Sequence, residues 1–229
     1  MWAALIETGI VAEHSKESLP DILDRIGGGL EIITEVRGIP QGSGLGVSSI
    51  LGGAIIAGLL RMTGQSFSND RLVAHVLNLE QRIGVLGGWQ DPVGGIVGGL
   101  KDITADVGNP IPQPKLLLMD KAKLSELKER MVLLYVGSGH ASTSIVRNVI
   151  GDYLLRKHDQ FRARLESKRI LGEFFEAFRS GDIDRVGRLF SGSWDAFKRV
   201  IGPEATSDWI EKTLADVSNL TDGGKVSGS

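Results

Sequence analysis

The chain reads as a mixed helix-and-strand protein built in two parts, on three observations. Apolar residues recur at helical spacing in several segments and alternate with a period of two in others. Glycine, at 31 residues, is abundant and clustered, most densely at 27–29, 42–46, 87–88, 94–95 and 98–99. Pro110, Pro112 and Pro114 form a stiff connector that divides the chain into residues 1–113 and 114–229.

The elements follow in order. Residues 1–12 are apolar and fit a strand or a short helix. Residues 15–27 read as a helix, with Leu19, Ile22, Leu23 and Ile26 on one face and the glycines at 27–29 as its stop. Residues 30–37 alternate, with β-branched side chains, and read as a strand. A Pro- and Gly-containing loop fills 38–46, and an apolar helix follows over 47–62. Asn69 is the expected N-cap of the next helix, which carries Leu72, Val73, Val76, Leu77 and Leu79. Residues 84–95 read as a glycine-rich loop and 96–103 as a strand. After the connector come a strand (115–119), a helix (121–130) and a strand (131–136). From 142 onward the pattern is helical, with breaks expected near Ser180–Gly181, Ser191–Gly192 and Gly202–Pro203.

Composition narrows the function classes. Hydrophobic residues make up 41% and charged residues 24%, as in ordinary globular proteins. A net charge of −2 argues against a nucleic-acid groove or an anionic membrane surface. There is no cysteine, which excludes disulfides and thiolate metal sites and is compatible with a cytoplasmic protein. The longest apolar run, 50–60, is about half the length that a membrane span needs, so it reads as a buried helix. The N-terminus lacks the pattern of a signal peptide. His14, His75, His140 and His158 have no metal-ligand spacing, although His140 sits in a Gly-Ser-Gly-His loop. The basic run from Arg156 to Arg169 reads as the solvated face of a helix.

The most informative segment is Pro40-Gln41-Gly42-Ser43-Gly44-Leu45-Gly46-Val47-Ser48-Ser49. A strand is expected before it and an apolar helix after it. Glycines let the backbone wrap a phosphate with N–H groups, and the helix that follows points its unpaired N–H groups at the same anion. Ser48 and Ser49 fall in the first turn, where a hydroxyl reaches a phosphate or a magnesium ion. A Walker loop is excluded, because no Gly-Lys-Ser/Thr closes the segment. The dinucleotide fingerprint is excluded too, because Ser49 stands where its third glycine belongs, and Asn69–Asp70 opens a helix where that fold needs an acidic strand end. A plain glycine turn capped by serine fits the same residues.

The second segment pairs Glu80, near a helix end, with Asp91, in the loop beyond it. Phosphoryl transfer to an alcohol needs a magnesium ion on the ATP phosphates and a carboxylate near the attacking hydroxyl. Two acids on adjoining elements divide those tasks. A solvated Glu80 paired with Arg82 or Lys101, and an Asp91 that merely shapes the turn before Pro92, fit as well.

Together, the glycine loop and Gly87-Gly88-Trp89-Gln90-Asp91 resemble the GHMP kinases, and within that family the branch acting on L-fucose. Gly27-Gly28-Gly29-Leu30-Glu31-Ile32, Leu133-Leu134-Tyr135-Val136-Gly137 and Ile145-Val146-Arg147-Asn148-Val149-Ile150 fit the same group. The resemblance implies an α+β fold of two domains. Residues 1–113 would form a mixed sheet with packed helices and residues 114–229 a helix-rich α/β sandwich, with ATP and sugar meeting in the cleft between. It implies ATP and Mg2+ as cofactors and a small sugar as substrate, phosphorylated at the anomeric hydroxyl of L-fucose. A heptose is the alternative substrate, and a remnant that only binds nucleotide is the alternative without catalysis. By the same resemblance, Pro40, Gly42, Ser43, Gly44, Leu45, Gly46, Ser48 and Ser49 hold the nucleotide. Ser48 and Glu80 hold the metal, Asp91 is catalytic, and Gly88, Trp89 and Asp91 line the sugar site.

Three positions depart from the family pattern. Val47 replaces a usual hydroxyl, Pro92 follows Asp91 in place of glutamine, and the segment from Tyr135 to Thr143 lacks the usual Tyr-Thr-Gly with a basic residue. An early Gly-Gly-Trp-Ser-Asp-like segment is not found, and Gly223 onward resembles the approach to a second glycine-rich loop. Both domains are therefore expected to be incomplete, the first at its start and the second at its end.

Overall fold

Short oxygen-bearing side chains set where several of the helices start. Ser18, Ser68 and Ser207 each accept a hydrogen bond from a backbone N–H three residues on, and Asp120 and Asp182 do the same work at two others. The computed structural model describes residues 1–40, 42–85, 87–109, 111–137 and 142–227. It separates into two units, Met1–Lys115 and Leu116–Ser229.

The first unit contains α1 (Trp2–Glu7), α2 (Leu19–Arg25), α3 (Val47–Met62), α4 (Asn69–Arg82), α5 (Gln90–Ile96) and the strand β1 (Lys101–Thr104), which pairs with β2 (Gln113–Leu116) at the unit boundary. The apolar run expected to be buried is the middle of α3, where Ile56, Leu59 and Leu60 pack with Leu5, Val11, Ile22, Leu72, Val76 and Leu79. Ile56 is fully buried. Ile56→Ala is expected to cost about 2–5 kcal/mol, read as an earlier urea midpoint. A shift worth less than about 1 kcal/mol would mean that the site collapses to fill the gap.

The second unit contains α6 (Lys121–Arg130), α7 (Ser142–Leu154), α8 (His158–Ser180), α9 (Ile183–Ile201), a short 3₁₀ turn (Pro203–Ala205) and α10 (Asp208–Val217). Gly181, with φ of 69°, ends α8 in the left-handed conformation that glycine adopts freely, and α9 folds back against α8. The core between them holds Ile170, Ala177, Ile183, Val186, Leu189 and Ala196, with Leu127 of α6. No helix among the described residues is long and apolar enough to cross a membrane.

Helices plus a small sheet agree with an α+β class, but the expected mixed sheet is not formed. Among the described residues the sheet has two strands only. Residues 30–37, expected as a strand, form none, although Leu30 and Ile32 pack on the core while Ile33 is 84% exposed. Residues 131–136, also expected as a strand, form none either, and Met131 to Tyr135 are all exposed. A strand needs a hydrogen-bonding neighbour as well as suitable side chains, and neither segment has one among the described residues.

Other boundaries move for local reasons. Ser68, not Asn69, caps α4. The expected loop at 84–95 gives way to α5, and the expected strand at 96–103 shrinks to β1, because Gly95 serves helix packing rather than a turn. Pro92 sits in the first turn of α5, where its missing N–H costs nothing. Ser191–Gly192 does not break α9. Small residues there receive the C-terminal segment: Ser191 Oγ accepts from Gly224 N–H at 3.1 Å, and a Cβ on Gly187 would lie 2.5 Å from Asp222 Cβ.

Candidate active site

Three glycine-mediated contacts in the first unit bring the two informative sequence segments together. On α3, Gly52 and Gly53 clear the way for α4 and α5. A Cβ on Gly52 would come within 3.1 Å of Leu79, and one on Gly53 within 3.5 Å of Val76 and Ile96. On α5, a Cβ at Gly95 would strike Ile50 at 2.4 Å. Helices that approach this closely place their flanking polar residues in contact as well.

The result is a small polar centre at the start of α3. Ser49 is 3% exposed, and its hydroxyl donates to Glu80 Oε1 at 2.5 Å. The other oxygen, Glu80 Oε2, faces Gly87, where a Cβ would stand 3.1 Å away. Asp91, in the first turn of α5, lies against Gly46, whose absent Cβ would be 2.9 Å from Asp91 Cβ and 3.0 Å from Cγ. Burial pushes the Glu80 carboxyl above its usual value; the neighbouring Asp91 charge adds to this, and the Ser49 hydrogen bond offsets part of it. Partial desolvation pushes the Asp91 carboxyl up too. Among the described residues neither acid makes an ion pair, and Lys101 donates to Gly99 O at 3.1 Å instead.

The loop itself has the backbone that its sequence calls for. Gly42, Gly44 and Gly46 have φ of 74°, 69° and 65°, and Gly46 is the N-cap of α3. Pro40 and Gly42 are exposed, and Gly44 and Leu45 are half-buried. The Ser43 hydroxyl is buried with no hydrogen-bond partner among the described residues, a donor that a loop ligand would satisfy. Ser48 is exposed, so it is Ser49, not Ser48, whose hydroxyl meets Glu80. Val47 is the first residue of α3 and half-buried. Gly88 is exposed, and Trp89 is the half-buried N-cap residue of α5. Gln41 and His140 lie outside the described residues.

Gly87 belongs to this centre although the sequence reading assigned it no role. Its signal was present in the Gly-Gly pair ahead of Trp89, but only the fold shows that the first glycine gives room to Glu80. The chemistry of the donor set suits Mg2+, which takes oxygen ligands, uses one or two carboxylates and draws the rest from phosphates and water. No group of three or more His, Asp or Glu residues poised for a metal occurs among the described residues, so a purely protein-made cage is not what this site offers.

The sequence that forms this site has counterparts of known family. Residues 9–99 match the GHMP kinases N terminal domain. The chain is 30% identical over 228 residues to the bifunctional fucokinase/GDP-fucose pyrophosphorylase of Arabidopsis thaliana, a match covering 99% of this chain and 21% of that protein. It is 27% identical over 216 residues to the L-fucokinase/L-fucose-1-P guanylyltransferase of Bacteroides fragilis, covering 94% of this chain and 23% of that protein. The chain thus spans about a fifth of the length of these relatives.

Proposed function

We propose that this chain is a sugar kinase that transfers the γ-phosphate of ATP to the anomeric hydroxyl of L-fucose, giving L-fucose 1-phosphate and ADP. The observation that carries the reading is the convergence of Ser49, Glu80 and Asp91 at the end of a positive-φ glycine loop. Two acids held above their usual pKa, with no cationic side chain paired to them among the described residues, suit a site that receives a metal and a proton. The names of the two relatives favour L-fucose over a heptose.

In this reading Glu80 and the adjacent hydroxyls of Ser48 and Ser49 hold Mg2+, which when bound neutralises charge on the transferring phosphoryl group. The loop from Pro40 to Gly46 wraps the phosphates through its backbone N–H groups, and the Ser43 hydroxyl donates to one of them. Asp91 orients the sugar hydroxyl and accepts its proton as the new O–P bond forms and the bond to ADP breaks. Its raised pKa brings it closer to the working range of a general base. Gly88 and Trp89 line the sugar site, where an indole face suits the apolar face of a hexose.

The test is ADP release by the purified chain with Mg·ATP, comparing L-fucose, galactose, mannose and a heptose. Turnover strongest with L-fucose is the expected result. Turnover strongest with the heptose moves the substrate to the rival sugar. A folded chain that binds Mg·ATP and releases no ADP with any of the four is a nucleotide-binding protein and not a kinase.

A further inference from the structure

On the flank of α4 away from Glu80, three side chains converge on one buried carboxylate. Glu7, the last residue of α1, has a side chain only 7% exposed. Its Oε1 pairs with His75 Nδ1 at 2.9 Å and accepts from Asn78 Nδ2 at 3.0 Å, while its Oε2 accepts from Arg82 Nε at 3.1 Å. Arg82 also reaches Glu13 at 2.6 Å. His75, Asn78 and Arg82 recur at helical spacing, so they form a single ridge along α4 that faces α1. A buried carboxylate is costly unless every lone pair is used, and here three donors from one helix satisfy one acceptor from another. Such an arrangement has a single low-energy register.

The apolar stripe of α4, formed by Leu72, Val73, Val76 and Leu79, separates this ridge from Glu80. Apolar packing alone resists sliding and rotation weakly, because it is non-directional. A turn of α4 by about 20° would carry a side-chain tip roughly 2 Å, given a helix radius with side chains of about 5–6 Å. That is enough to break the contact between Ser49 and Glu80. Resting on the reading of Glu80 as a magnesium ligand, we infer that Glu7 and Arg82 are positioning residues, which lock α4 in the register that presents Glu80 to the metal and the nucleotide.

The experiment is calorimetric titration of the full chain with a non-hydrolysable ATP analogue, with Mg2+ and with EDTA. The quantity read is the gain in affinity that magnesium brings. In Glu7→Gln, and independently in the half-exposed Arg82→Met, that gain is expected to fall roughly tenfold, the low end of what outer partners of a metal site contribute. The metal-free affinity should stay as in the wild type. The Glu7→Gln change sets an amide N–H₂ against the Arg82 donors, so the double variant E7Q/R82Q, which supplies an acceptor there, should recover part of the gain. Mere destabilisation would instead accumulate across the two changes. A wild-type chain without any magnesium effect overturns the reading of the site and the positioning role with it. A wild type with the effect, and folded single variants that keep it in full, overturn the positioning role alone.

Discussion

Asp91→Asn is expected to lower sugar phosphorylation by roughly 10²–10⁴-fold, the share that a positioned general base contributes. Binding of Mg·ATP should survive, because Asp91 packs on Gly46 and the isosteric amide fills the same space. The same change should stabilise the ligand-free chain at neutral pH. The sign follows from the direction of the shift. Desolvation raises the Asp91 pKa in the folded state, so folding favours its protonated form. The folded chain then binds more protons than the unfolded one between the two pKa values. That stabilising contribution is complete below the unfolded value and is lost as pH rises through the folded one. A charge in the first turn of α5 gains something from the helix dipole, but the net direction upward means that desolvation outweighs it. Melting curves of both proteins at pH 3 and pH 7 check this: the advantage of the Asn variant should appear at pH 7 and vanish at pH 3. Near-wild-type turnover would remove Asp91 from the catalytic role, and an advantage equal at both pH values would remove desolvation as its cause.

Much of this site is legible in the sequence because it is written in short-range rules. Three glycines at alternate positions, followed by serines and an apolar run, specify a positive-φ loop and a helix start, and the helix over 47–62 runs between the bounds that its pattern predicts. The helix over 121–130 is equally legible, with Asp120 as its cap. What was not legible depends on contacts between elements. The pairing of Glu80 with Ser49 in preference to Ser48 is decided by which hydroxyl of the first turn faces α4, and hence by Gly52 letting Leu79 approach. The segments 30–37 and 131–136 show the limit from the other side. Their side chains suit a strand, but a strand is a property of a pair, and no local pattern names its partner. Glu7 escaped notice for a related reason. Nothing in the local sequence of α1 marks a buried carboxylate, because its three donors lie some seventy residues away on α4.

Gly46→Ala should be the most damaging single-methyl change in the first unit. Two costs combine at this position. Gly46 sits at φ of 65°, where an L-residue with a Cβ pays about 1–2 kcal/mol. The new methyl would also lie 2.9 Å from Asp91 Cβ and 3.0 Å from its Cγ, closer than carbon atoms tolerate, so Asp91 or the loop must shift. A displacement near 1 Å at a reacting group costs on the order of 10²-fold in rate. Turnover should therefore fall by about that factor, with a loss of stability of about 2–4 kcal/mol when backbone strain and overpacking add. The two costs separate in a double-mutant cycle with Asp91→Ala, which removes the carboxyl half of the clash. In that background Gly46→Ala should cost distinctly less stability than in the wild type. Equal costs in both backgrounds would show that the Asp91 carboxyl group takes no part in the clash. Gly58→Ala provides the contrast on α3 itself: that glycine is exposed, has open space around its Cβ position and has no positive φ, so the methyl should raise stability by about 1 kcal/mol through helix propensity. A stabilised Gly58→Ala beside a crippled Gly46→Ala would tie the effect to the contact with Asp91 and not to glycine content in the helix.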